Sequence, residues 1–428
     1  MDTILHSVLP NGLAVHLHEI HTAPIISHWL WYRAGSRNEL AGLSGISHWV
    51  EHMQFKGTPA FPAGEPDKAI ARLGGYWNAF TYLDWTAYYA TLRAAEIDLA
   101  LRLEADRMVN SLFLPKDVES ERMVILSERE GSENEPLFRL GEAVQQKGFT
   151  QHPYRNEVLG SKEDLRRITR EDLYGYYCQY YQPANAVLTL AGDFDARAML
   201  ARVEELYAGL PGGVTPPADV LLEAPLQGEQ RVEVNGPGRT TYLQLAYRAP
   251  QASSPDFFAF AVLDSLLSGP TGLNMFGGGG ISNKTSRLYR ALVEQDLVVG
   301  VHGGISATID PYLYDITLTV RPRKTVAQVL AALDDEILRV QNEAPAQAEV
   351  NRAVKQARAL FAYGSENITN QAFWLGFAEM FASYPWFEGY VAALERVTPA
   401  DIQRVAQEYL QPSRRVVGVY LPGSRRPK

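Results

Sequence analysis

His48, Glu51 and His52 form the run H-x-x-E-H, whose residue types and spacing can build a zinc hydrolase site. On a helix, residues four apart stand one turn above each other, so His48 and His52 can turn ring nitrogens toward one ion. At about 100° per residue, Glu51 and His52 fall within about 60° on either side of His48, while Ile46, Trp49, Val50 and Met53 gather on the opposite arc. A glutamate held there and not tied to the metal suits a general base. The alternative is two exposed histidines on a charged helix face. With nine histidines in the chain, a chance H-x-x-E-H is expected on the order of 0.01 times, which favours metal.

Two histidines do not complete the site, because a catalytic zinc takes three protein ligands and keeps one position for water. The stretch 116–135 offers Glu119, Glu121, Glu128, Glu130, Glu133 and Glu135, and helix geometry does not choose among them. The elements that must position these groups are patterned in the sequence. Residues 13–18 alternate apolar and polar as a half-buried strand does, 26–32 is a β-branched and aromatic run, and 186–191 reads as a strand. Residues 44–55, 67–73, 96–112, 116–130 and 170–181 have helical spacing. Strands and helices mix, with hairpin-like adjacency at the start, which predicts an α+β fold of helices layered on a largely antiparallel sheet.

The chain of 428 residues exceeds one ordinary core and predicts two domains. The breaker-rich stretch 210–230, with Pro211, Gly212, Gly213, Pro216, Pro217 and Pro225, divides it almost in half. The halves echo each other. Ile168-Thr169-Arg170-Glu171-Asp172-Leu173, Gln182-Pro183 and Val187 return as Val397-Thr398-Pro399-Ala400-Asp401-Ile402, Gln411-Pro412 and Val416, at a constant offset of 229. Tyr32-Arg33-Ala34 likewise matches Tyr247-Arg248-Ala249. Duplication explains the shared order, with halves at 1–212 and 231–428 joined by a linker at 213–230. A net charge of -9 without a Lys/Arg cluster argues against nucleic acid or an anionic membrane as the partner. One cysteine, Cys178, no secretory pattern at the start and no long apolar run point to the cytoplasm.

The segment Gly45-Ile46-Ser47-His48-Trp49-Val50-Glu51-His52-Met53-Gln54-Phe55-Lys56-Gly57-Thr58 closely resembles the zinc-site signature of the pitrilysin/insulinase (inverzincin) family. The resemblance extends through Leu9 to Leu13, Asn78 to Thr81, His152-Pro153-Tyr154, Tyr181 to Ala186, Gly192-Asp193-Phe194 and Ser286-Arg287-Leu288-Tyr289, and so spans nearly the whole chain. At this length it is similar to the short two-domain bacterial branch, and implies two homologous domains forming half of a clamshell. The family's third ligand lies 76 residues beyond the second histidine, which here is Glu128. A second family glutamate falls on Glu121, two turns earlier on the same helix face, where it could steer the site. The resemblance thus implies one Zn²⁺ on His48, His52 and Glu128, with Glu51 and Glu121 as catalytic residues. It also implies an edge strand, Asn78-Ala79-Phe80-Thr81, to which an extended peptide adds by backbone pairing. Unfolded segments and short peptides are the substrates this mode accepts.

The sequence departs from the family in its second half. Where family members carry an arginine and a tyrosine after the Ser-Arg-Leu-Tyr segment, the stretch 292–300 has valines, and the positions matching His48 to His52 read Leu263 to Leu267. The chain therefore resembles the metal-bearing subunit of family members that work as heterodimers, a sister chain supplying Arg and Tyr. Two other roles fit the same fold, a structural subunit that no longer cleaves and a module that captures extended peptides. Gly277 to Gly280, with no Gly-Lys-Ser/Thr ending, reads as a mobile loop and not a nucleotide cradle. It resembles the glycine-rich loop of the non-catalytic subunit of processing peptidases. Tyr174, Tyr176, Tyr177, Tyr180 and Tyr181 read as helix packing, and His16 and His18, which share a strand face, as surface residues.

Overall fold

A computed structural model describes residues 4–216, 223–270, 272–273 and 281–423. The run Gly277 to Gly280 and linker residues 217–222 lie outside the described residues. Two sheets form, each packed against helices. The first contains β1 (Ile4–Val8), β2 (Ala14–Glu19), β3 (Ile25–Tyr32), β4 (Tyr76–Thr81), β5 (Thr86–Arg93) and β6 (Ala186–Gly192), in the order β1-β2-β6-β3-β5-β4. The second contains β7 (Gln230–Gly236), β8 (Tyr242–Arg248), β9 (Val298–Gly304), β10 (Leu313–Val320) and β11 (Arg415–Pro422), in the order β7-β11-β8-β10-β9. Neighbours are antiparallel except β2 with β6 and β7 with β11.

Setting β1 aside, the second sheet repeats the first strand for strand and direction for direction. The repeat at offset 229 has a physical origin in helix capping. Thr169 accepts from Asp172 N at 3.2 Å while its own N–H donates to the Asp172 carboxylate at 2.8 Å. Thr398 and Asp401 do the same at 3.2 and 3.0 Å. Each box satisfies two N–H groups that a helix start leaves orphaned. Each helix leads through a short 3-10 turn, Pro183–Asn185 or Pro412–Arg414, into the strand that follows, β6 or β11.

The chain separates into two compact units, Met1–Arg129 with Asn156–Val220 and Ser365–Tyr384, and Glu130–Arg155 with Leu221–Gly364 and Pro385–Lys428. In the first, β3 is central and buried on both faces, as its run IISHWLWY suggests. Helix Ile368–Phe377 covers one face: Phe373 meets Trp29 and Trp31 edge-on at 5.4 and 5.3 Å, and Gly376 leaves room for the Trp31 indole, which a Cβ would strike. In the second unit, helix Pro136–Gly148 covers the matching face, where Gly418 of β11 admits Leu140 and Val144.

His16 is not a surface residue. It is 7% exposed, its Nδ1 lies 2.5 Å from His6 Nδ1 on the paired strand, and the Tyr384 ring packs on both imidazoles. The covering residue comes from 365–384, far along the chain, so alternation along β2 alone misassigned it. Burial, with the charges of His6 and Arg33, pulls the His16 pKa down to about 4. The tyrosines do pack the helix Arg170–Tyr180 and its cap: Tyr176, Tyr177, Tyr180 and Tyr181 are buried, and Tyr174 is at the rim. Among the described residues no helix is long and apolar enough to cross a membrane.

Candidate metal centre

The helix that carries His48, Glu51 and His52 spans Ile46–Met53 and buries Ile46, Trp49, Val50 and Met53, each at most 1% exposed. Such burial is worth roughly 1.5–3 kcal/mol per large side chain, which anchors the polar face by its apolar opposite. The helix starts from Gly45 at φ 88°, a left-handed conformation suited to glycine. There the backbone passes Gly160 so closely that a Cβ on Gly45 would lie 2.8 Å from Leu159 O. The orphan donors of the first turn go to Glu39, which accepts from Gly45 N at 2.9 Å, Ser47 N at 3.1 Å and Ser47 Oγ at 2.7 Å. Burial pushes the Glu39 carboxyl up to about 8, against the pull of these donors. Sequence reasoning missed Glu39, since it caps the helix from a preceding loop and not from the usual cap position.

His48 Nε2 and His52 Nε2 lie 3.2 Å apart, and Glu128 Oε2 lies 3.9 and 3.7 Å from them. A point equidistant from the three atoms lies about 2.1 Å from each, the length of a Zn–N or Zn–O bond. They are the one group of three or more His, Cys, Asp or Glu side chains among the described residues placed to hold an ion. The donor set fits zinc. Glu119 instead pairs with Arg122 at the surface, and Glu130, Glu133 and Glu135 are outside the cluster.

The helix that brings Glu128, Pro115–Ser132, also brings Glu121, buried on the same face. Glu121 does not join the three atoms. Its Oε1 accepts from His52 Nδ1 at 2.8 Å, and its Oε2 pairs with Lys56, just past the end of the helix. The Nδ1–H of His52 is thereby committed, and Nε2 presents its lone pair. Burial pulls the His52 pKa down, but the Glu121 bond and nearby carboxylates outweigh it and raise it. His48 is set differently: burial and the His52 charge pull its pKa down to about 3, so it stays neutral. Its Nδ1 has no hydrogen-bond partner among the described residues.

Glu51 is 8% exposed, and its Oε2 accepts from Thr81 Oγ1 at 2.6 Å. Burial raises its pKa, with the Thr81 bond pulling back. Thr81 ends β4, the outer strand of the first sheet. On β4 Ala79 is buried, Phe80 stacks over Tyr89 at 5.9 Å, and Asn78 is exposed. The Asn78 side chain accepts from the next backbone N–H, Ala79 N, at 2.9 Å.

Two family models match this chain, the insulinase model (peptidase family M16) over residues 14–162 and the peptidase M16 inactive domain over residues 167–357. The chain belongs to the M16 insulinase family. Within it, an uncharacterized zinc protease of Mycobacterium tuberculosis is 28% identical over 411 residues, 94% of this chain and 90% of that protein. Mitochondrial-processing peptidase subunit beta of Lentinula edodes is 27% identical over 427 residues, 94% of this chain and 87% of that protein. A protease from Helicobacter pylori has the same fold, with a TM-score of 0.90 at 24% identity over 99% of this chain and 100% of that one. M16 membership and the His48, His52 and Glu128 cluster support a zinc metalloendopeptidase activity. The inactive-domain match, residues 167–357, takes in the helix Phe257–Leu267, which has apolar residues in place of the histidines.

Proposed function

We propose that the chain is the metal-bearing subunit of a zinc peptidase that hydrolyses extended or unfolded peptides. The observation that carries this reading is the convergence of His48 Nε2, His52 Nε2 and Glu128 Oε2 beside a buried glutamate not among them. Bound there, zinc would act as a Lewis acid on the scissile carbonyl and lower the pKa of its water toward about 7. Glu51 takes the proton of the attacking water and passes it to the leaving amine. Its raised pKa suits a group that must both accept and release a proton. Glu121 steers His52. The outer strand β4 takes the peptide by backbone pairing through Asn78 to Thr81, once the Asn78 side chain releases the N–H of Ala79.

The halves lie at 1–212, catalytic, and 231–428, without metal ligands, joined at 213–230. The stretch 292–300 has valines where the family's arginine and tyrosine belong. The reading therefore includes a sister chain that supplies both, in keeping with the likeness to a processing-peptidase subunit. The same valines favour a second reading, a peptide-capturing subunit that does not cleave. Replacing Glu51 with Gln separates the two. Zinc content should stay at one per chain and peptide hydrolysis should disappear, assayed with and without the sister chain; hydrolysis at the wild-type rate in E51Q rules out the first reading.

A further inference from the structure

Thr81 lies on the strand on which we place the substrate, yet its hydroxyl is turned to the base. Thr81 Oγ1 is 2.6 Å from Glu51 Oε2 and 3.2 Å from Thr86 Oγ1, its partner across the β4–β5 ladder. The protons can be assigned. Thr86 is fully buried and donates its single hydroxyl proton to Ala34 O at 2.8 Å. It has none left for Thr81, so it can only accept from that neighbour. The Thr81 proton thus has two possible acceptors, a neutral hydroxyl oxygen at 3.2 Å and a carboxylate oxygen at 2.6 Å, and the shorter, charge-assisted bond takes it.

We infer that Thr81 is the positioning residue of Glu51. Its hydroxyl engages Oε2 and leaves Oε1 as the oxygen that takes a proton, and this bond, from a residue held in the β4–β5 ladder, restrains the plane of the carboxylate. Because Thr81 belongs to β4, a peptide paired with that strand and the base held by its last residue share one frame of reference. This second step rests on the function proposed above. A misplacement of about 1 Å in such a frame can cost about a hundredfold in rate, which is why a remote hydroxyl can matter to kcat without touching the peptide.

The test is the pair T81V and T81S. Valine keeps the volume and β-branching and removes the donor; serine keeps the donor. With a fluorogenic unstructured peptide, T81V should lose about tenfold or more in kcat with KM changed less than about twofold, and T81S should return to within about threefold of wild type. Zinc content and melting temperature should match wild type in both. Wild-type kcat in T81V, or T81S as slow as T81V, overturns the inference. A readout that needs no turnover comes from crystal structures at one pH: Glu51 should leave its place in T81V and keep it in T81S. If Glu51 stays put in T81V, Thr81 does not position it. If wild type cleaves nothing, the proposed function fails, while the Glu51 geometry still decides the role of Thr81.

Discussion

His52 Nδ1 is 2.8 Å from Glu121 Oε1, and the other oxygen of Glu121 is paired with Lys56, so one buried carboxylate joins the metal helix to the turn that follows it. The arrangement fixes the tautomer of His52 and restrains its ring before any ion arrives. His48 has no such partner for its Nδ1 among the described residues and relies on packing. The two rings should therefore differ in what disturbs them. Removing an outer partner of a metal-bound histidine typically costs 10–100-fold in affinity. We expect E121A to weaken zinc binding by about that factor and K56Q by less, since Lys56 acts only through Glu121. Competition with a chromophoric chelator measures both, and an E121A affinity equal to wild type would remove Glu121 from the site.

The start of the metal helix depends on two glycines back to back. Gly160 has φ 76°, and a Cβ there would overlap the backbone at Ser44 and Gly45, which cannot swing away as a side chain could. Replacing Gly160 with Ala should therefore destabilise the chain by about 2 kcal/mol or more, adding overlap to the conformational cost. Gly42, at φ 86° with nothing within 4 Å of an added Cβ, is the control. Its alanine variant should lose about 1 kcal/mol. Urea unfolding midpoints compare the two, and equal losses would show that overlap at Gly160 is relieved cheaply.

Much of this architecture is legible in the residues. The aromatic and β-branched run at 26–32 becomes β3, the helical spacing at 116–130 becomes Pro115–Ser132, and the Thr-x-x-Asp pairs at 169 and 398 become matching caps. What periodicity could not say is which surface an element meets. Nothing in the pattern of residues 136–148 or 368–377 assigns those helices to their sheets, and the burial of His16 follows from the second of these neighbourhoods. The choice of Glu128 among six glutamates came from family spacing, because helical phase leaves several of them close in angle. Glu39 and Thr81 act through contacts to other segments, at Gly45, Ser47 and Glu51, which one-dimensional patterns do not encode.

Asp315 gives a pH-dependent test in the second unit. It lies on β10, accepts from Gln244 Nε2 at 3.0 Å, and is raised by burial from 3.8 to about 6, with Gln244 pulling the other way. The folded chain thus holds this proton up to about pH 6, while the unfolded chain releases it near pH 3.8. Stability from this group is fully present below 3.8 and is lost as pH rises through about 6. D315N removes the titration. It should match wild type near pH 4 and exceed it by roughly 2 kcal/mol at pH 8. Denaturant midpoints at the two pH values check this, and a constant difference across the range would refute the raised pKa of Asp315.

Arg107 and Glu104 give the sharpest energetic prediction. They meet at two points, Nε to Oε2 at 2.7 Å and Nη2 to Oε1 at 2.5 Å, and are 2% and 1% exposed. The guanidinium lies over Tyr88 at 4.2 Å, with Phe55 and Trp77 at 5.2 and 5.4 Å, so the pair underlies the end of the metal helix, β4 and β5. A buried ion pair adds little net stability over apolar residues of the same volume, because desolvating two charges cancels most of their attraction. Removing one partner is different, because the other charge stays in the core. E104Q should therefore cost about 3–5 kcal/mol, whereas the double variant E104M/R107M should recover most of that loss. Guanidinium unfolding of wild type, single and double variants completes the cycle. A loss under about 1 kcal/mol in E104Q would mean that Arg107 finds water or another carboxylate when Glu104 is gone, and that the aromatic cage is not dry.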